Sequence, residues 1–123
     1  MLCPECAQEM LVIEMNDVEA DWCSKCGGIW LDEGELELIS DMEGKDSPFL
    51  SSIHNPQGKI GKRKCPRCNS LMIESEVLTK PPIELDFCRK KHGIWFDKGE
   101  LEKVLSSISG EPVAKLVSLL MKE

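Results

Sequence analysis

Seven cysteines and one histidine fall into two sets of four at matching intervals along 123 residues. Cys3, Cys6, Cys23 and Cys26 form a C-x2-C pair, sixteen intervening residues and a second C-x2-C pair. Cys65, Cys68, Cys88 and His92 repeat the plan with nineteen residues between the pairs and a C-x3-H ending. No cysteine is left over, and only His54 stands outside the sets. Paired ligands on tight turns let two side chains reach one tetrahedral ion, and thiolates with an imidazole suit zinc. The count is that of two zinc ions. If His92 were not a ligand, the second site would hold three cysteines and water, the open geometry of catalytic zinc.

Disulfides are the competing use of such cysteines. The chain opens MLCPEC, with a ligand at position 3 and none of the basic, apolar, small-residue pattern of a secretion leader. A cytoplasmic setting with reduced thiols is therefore the expectation. A thioredoxin-like redox pair would sit in a βαβ pattern, and none surrounds these motifs. Each half holds about forty residues, a size at which an apolar core rarely outweighs chain entropy. Structural zinc contributes on the order of 10–16 kcal/mol in finger peptides, so each half is expected to be largely unfolded without metal.

The halves match beyond their ligands. Gly28-Ile29-Trp30-Leu31-Asp32-Glu33-Gly34-Glu35-Leu36 returns as Gly93-Ile94-Trp95-Phe96-Asp97-Lys98-Gly99-Glu100-Leu101. Alternation of Val18, Ala20 and Trp22 with Glu19 and Asp21, and of Ile83, Leu85 and Phe87 with Glu84 and Asp86, predicts one strand in each half. Residues 11–15 and 71–77 supply their hairpin partners. Asp32 and Asp97, each with a glutamate three residues on, read as the N-caps of helices whose apolar faces are Leu36 and Ile39, and Leu101, Val104 and Leu105. Capping also accounts for Asp32/Glu35 and Asp97/Glu100 without acid–base chemistry. Trp30 and Trp95 read as packing beside the metal rather than exposed recognition residues, and His54 as a solvated loop residue.

These readings make a small zinc-dependent α+β protein: two tandem zinc ribbons, each a short antiparallel β-hairpin with zinc knuckles followed by a helix, plus a C-terminal amphipathic helix. The divisions are a first ribbon with its helix over 1–40, a flexible, turn-rich linker over 41–62, a second ribbon with its helix over 63–109, and the terminal helix over 110–123. The last rests on Pro112 and the stripe Val113, Leu116, Val117 and Leu120.

C-P-x-C, a two-stranded spacer and C-x-x-C-G-G-I-W-L-D-x-G-E-L together resemble the TFIIB-type zinc-finger family. These are small zinc-ribbon domains related in shape to the N-terminal ribbon of a general transcription factor. The resemblance covers nearly all of residues 1–40 and 63–105. It implies a zinc-ribbon fold, zinc as sole cofactor, ligands at the seven cysteines and no catalytic residues. The second copy departs from the pattern, because Lys91 takes the place of Cys26 and His92 that of Gly27.

Charge divides the chain. Residues 1–58 hold thirteen acids against Lys25 and Lys45, a formal −11, whereas residues 59–123 hold thirteen Lys or Arg against nine acids, a formal +4. A polyanion would be repelled by much of this surface. Nucleic acid could still meet the second ribbon, through Lys59, Lys62, Arg63, Lys64 and Arg67 on the approach and Arg89, Lys90 and Lys91 on the knuckle. No aromatic residue is interleaved with these for base stacking. The basic patch could equally meet an acidic surface, either the first ribbon or another protein. The expectation is a non-catalytic, protein-binding adaptor linked to transcription. Direct nucleic-acid binding through the second ribbon is the alternative, and a redox or zinc-dependent enzyme the minor one. No membrane partner is expected.

Overall fold

Alternating apolar and acidic residues build the outer hairpins. In the computed structural model, which describes residues 1–15, 17–40, 52–77, 79 and 81–108, β1 (Leu11–Met15) pairs antiparallel with β2 (Val18–Trp22). The second repeat forms the same hairpin from β5 (Leu71–Val77) and β6 (Ile83–Phe87). These four strands lie where the alternation places them.

The recurring G-I-W-[LF]-D-x-G-E-L run does not open a helix at its aspartates. Its first half is a strand, β3 (Ile29–Asp32) in one repeat and β7 (Gly93–Phe96) in the other. A turn follows in which Gly34 and Gly99 both have φ of +86°, a conformation glycine adopts without steric penalty. Helix α1 (Glu35–Ser40) and helix α2 (Glu100–Ile108) begin after that turn. The glutamate half of the expected capping arrangement is present: Glu35 Oε1 accepts the Asp32 N–H at 2.5 Å and Glu100 Oε1 the Asp97 N–H at 2.8 Å. Asp32 and Asp97 are not N-caps, since their side chains turn to other partners on the sheet. The Ile39 side chain lies outside the described residues.

The repeats do not form separate domains. They share one seven-stranded sheet in the order β1-β2-β3-β7-β6-β5-β4. The join is β3 against β7, with Ile29 opposite Phe96, Trp30 opposite Trp95 and Leu31 opposite Ile94. Each motif position thus meets the same surface of the other copy, so a local two-fold axis passes through the tryptophan pair, as at an isologous dimer contact. Strand β4 (Lys59–Lys64), at the far edge beyond β5, begins in the stretch read as a linker and runs into the second ribbon. That stretch also supplies a helical turn at 52–54 whose Ile53 is buried. The rest of the linker, 41–51, and the C-terminal helix expected at 110–123 lie outside the described residues.

Period-two alternation gives the sheet two buried faces. On one, Ile29, Leu31, Phe87 and Phe96 pack beneath Leu36 of α1 and Leu101, Val104 and Leu105 of α2. On the other, Met10, Trp30, Met72 and Trp95 lie among the ligand cysteines. Both tryptophans are 0% exposed, and each ring removes roughly 200 Å² from water, on the order of 5 kcal/mol of apolar burial. The glycine that opens each motif makes this seating feasible. A Cβ on Gly28 would lie 2.2 Å from a ring carbon of Trp95; one on Gly93 would meet the Leu31 carbonyl at 2.2 Å and Trp30 at 2.6 Å. Each tryptophan therefore covers the other repeat's glycine. Gly28→Ala and Gly93→Ala should each lower the stability of the zinc-loaded chain by about 2–3 kcal/mol through overpacking at this join. A fall in the urea midpoint at unchanged zinc stoichiometry is the expected reading.

Candidate metal centres

Each ligand set starts on a knuckle whose backbone points N–H groups at sulfur. Cys3 Sγ accepts the N–H groups of Glu5 and Cys6, both at 3.3 Å; Cys65 Sγ accepts that of Arg67 at 3.4 Å and Cys88 Sγ that of Lys90 at 3.3 Å. Residues just after the first pairs, Ala7 and Asn69, take positive φ as the turn closes, with their N–H groups on the Cys3 and Cys65 carbonyls. The β-hairpin then returns the second pair to the first. All four donor atoms of Cys3, Cys6, Cys23 and Cys26 lie within 4.8 Å of one another, as do those of Cys65, Cys68, Cys88 and His92.

The spacing fits zinc. A tetrahedron with zinc–sulfur bonds of about 2.3 Å has edges of about 3.8 Å. Cys3 Sγ and Cys26 Sγ are 3.7 Å apart, and so are Cys68 Sγ and Cys88 Sγ. His92 Nδ1 stands 3.4 Å from Cys88 Sγ and 3.9 Å from Cys65 Sγ. The departure from C-x2-C at the fourth knuckle has a backbone cause. In the first repeat Gly27 N–H bonds back four residues to the Cys23 carbonyl, with φ of +79° at Gly27. In the second, Lys91 N–H bonds back three residues to the Cys88 carbonyl, and Lys91 itself takes φ of +61°. The turn closes one residue sooner, and the longer imidazole spans what remains. Two zinc ions are the cofactor these residues hold, closed by four cysteines in one site and three cysteines with a histidine in the other.

Crowded thiols cannot all ionise without a cation. Burial raises Cys3 and Cys26 and pushes Cys65 up to about 12. Burial also opposes ionisation of Cys23, yet the N–H groups of Cys26 and Lys25 bring it down to about 7; the Ser70 N–H brings Cys68 down to about 6. Metal loading must strip protons from the raised thiols. Loading at pH 7 should therefore release protons into weakly buffered solution, and apparent zinc affinity in chelator competition should climb from pH 6 to 8.

Between the two sites runs a set of ion pairs centred on the tryptophans. Residues two apart on a strand share a face, so the Trp30 indole N–H donates to Asp32 Oδ1 at 3.0 Å and that of Trp95 to Asp97 Oδ1 at 3.3 Å. Arg67, on the second repeat's first knuckle, forks onto both carboxylate oxygens of Asp32 in the first repeat, its Nη2 lying 2.7 Å from Oδ2. This contact holds Asp32 below the usual carboxylate range. The position equivalent to Arg67 on the first knuckle is Glu5, which cannot return the favour to Asp97. Arg63 of β4 fills the gap: its guanidinium donates to Glu5 at 2.8 Å, Asp97 at 2.8 Å and Asp86 at 2.9 Å. Asp86 is 5% exposed, and its burial raises its pKa against the pull of Arg63.

Arg63 and Arg67 of the basic patch are thus paired within the chain, partly with acids of the first repeat. Lys62, Lys64, Arg89, Lys90 and Lys91 are exposed, with no ion pair among the described residues. Asp86 and Glu5 are site residues that motif reading passed over, and Asp32 and Asp97, read there as helix caps, serve as partners of the tryptophans and arginines. The signals were an aspartate two residues after each tryptophan and a charge reversal, Glu5 against Arg67, at matching knuckle positions. His54, at the end of the helical turn, is exposed. Arg63→Ala should destabilise the loaded chain by about 3 kcal/mol because it strands Asp86, and Arg67→Ala, in a more exposed pair, by about 1 kcal/mol. Thermal denaturation of the two variants side by side tests that order.

A family model described as transcription factor zinc-finger matches residues 2–41 and again 64–107. The chain belongs to this family. The two matched segments are the two zinc-ribbon copies, and the zinc-binding reading of the ligand sets agrees with them. No curated protein and no solved structure matches the chain. Among the described residues, no helix is long and apolar enough to cross a membrane.

Proposed function

We propose that this zinc-ribbon protein is a non-catalytic module that binds protein, with two structural zinc ions that shape its surface. The observation that carries the choice of partner is the internal pairing of Arg63 and Arg67. Guanidinium forks are the side chains best matched to phosphate, and these two are held by carboxylates. Among the described residues no aromatic ring is exposed for base stacking: Trp30, Trp95, Phe87 and Phe96 are buried, and Trp22 packs against the core. Ligand sets already complete with four donors support a structural role for the metals. The cavity beside the second set, between the turn before α1 and the fourth knuckle, has a volume of about 120 Å³. That is below the roughly 300–1,000 Å³ of a substrate pocket, and the larger hollow of about 610 Å³ between residues 81–83 and α2 is lined by none of the ligand residues. A setting in transcription is the sense of the family's description.

Direct nucleic-acid binding is the competing reading, and the exposed Lys62, Lys64, Arg89, Lys90 and Lys91 favour it. The two separate in a pull-down with zinc-loaded chain, nuclease-treated and untreated in parallel. The same proteins should be retained in both arms, and neutralising Arg89, Lys90 and Lys91 together should leave that retention unchanged. Retention that disappears with nuclease, or binding to duplex or single strand that falls steeply with salt, would overturn the proposal.

A further inference from the structure

The two ends of the shared sheet differ. In the second repeat the outer side of β5 is covered by β4, with Ile60 opposite Ile73, Lys59 opposite Glu74 and Lys64 opposite Leu71. The hairpin registers make Leu11 and Val12 of β1 the counterparts of Ile73 and Glu74. Among the described residues no strand lies outside β1, and Leu11 and Val12 are 52% and 64% exposed. An apolar edge of this kind is a template for strand addition. The β4 edge is guarded by its own lysines; Leu11–Met15 contains no lysine, arginine or proline.

Charge selects the occupant. Glu14 of β1 stands directly opposite Glu19 of β2, both exposed, an arrangement that like-charge repulsion disfavours. Residues 1–58 are formally −11, so pairing β1 with the β1 of a second copy would bring two acidic surfaces together. Strand β4, KIGKRK, shows the pattern at the equivalent edge: Ile60 meets Ile73, the counterpart of Leu11, and Lys59 lies diagonal to Glu76, the counterpart of Glu14.

We propose that the outer edge of β1 receives an extended, lysine- or arginine-bearing segment of a partner protein as an added antiparallel strand. This rests on the protein-binding reading and names its surface. The added strand would cover Leu11 and Val12 and set a cation beside Glu14 and Glu19.

The test uses the full, zinc-loaded, nitrogen-15-labelled chain titrated with a capped peptide copying residues 57–64, QGKIGKRK. Saturable amide shifts centred on residues 9–15, with slowed hydrogen exchange there, are expected. A control peptide with glutamate at each cation should not bind. Val12→Lys, at an exposed position, should keep the zinc stoichiometry and weaken binding by at least about tenfold. Shifts centred elsewhere, equal binding of the control, or no binding would overturn the proposal. Sedimentation showing concentration-dependent self-association that Val12→Lys abolishes would overturn it in favour of a second copy. If Val12→Lys retains the same proteins in the pull-down as the parent chain, the edge is excluded while the protein-binding reading stands. If the parent chain retains no protein at all, that broader reading fails instead.

Discussion

The seating of each tryptophan over the other repeat's glycine is the contact on which the architecture turns. It fixes the distance between β3 and β7, because a ring fits against the opposing strand only where no Cβ projects. It also fixes register, since a slip of one residue would move Trp30 and Trp95 to the helix-covered face and Ile29 and Phe96 to the metal face. From that register the rest follows. The aspartates fall two residues beyond the rings, the arginines reach across to them, and the two knuckles come to lie on one side of one sheet.

Zinc and this join divide the work of folding. Each metal site ties a knuckle to its own hairpin, which local chain entropy alone would leave open. The join lets two forty-residue pieces share a core that neither could build. Spacing and composition left open whether the two repeats touch; Ile29, Leu31 and Phe96 come from the two halves and pack as one layer under α1 and α2. The shared sheet has another consequence. A duplicated module that meets itself across a two-fold axis exposes two equivalent outer edges, and among the described residues one is covered by β4 while the other bears Leu11 and Val12 with no strand beside it.

The ion pairs show how duplicated sequences diverge once joined. A symmetric junction would place an arginine at both C-P-x-C knuckles. Glu5 breaks that symmetry, and Arg63 of β4 supplies the cation for Asp97 instead while also meeting Glu5. The split between an acidic first half and a basic second half is in part the trace of this exchange.

Ligand identities, the repeat and four of the strands were legible in the chain because each depends on residues close in sequence: pairs on tight turns, a motif recurring after 65 positions, and alternation over five residues or more. The run Gly28 to Leu36 misled because its capping signature is real but local. Only the pairing of β3 with β7 makes a strand of its first four residues, and positive φ at Gly34 delays the helix. Strand β4 was hidden for the converse reason: KIGKRK has little apolar alternation and is held by β5 and by the charges Arg63 meets. Sequence alone determined the chemistry of the metals and the fact of duplication, since those are properties of residue type and spacing. Tertiary structure decided that two modules are one sheet and which cations are already paired, because both depend on contacts between residues 23 to 67 positions apart, which no local pattern encodes.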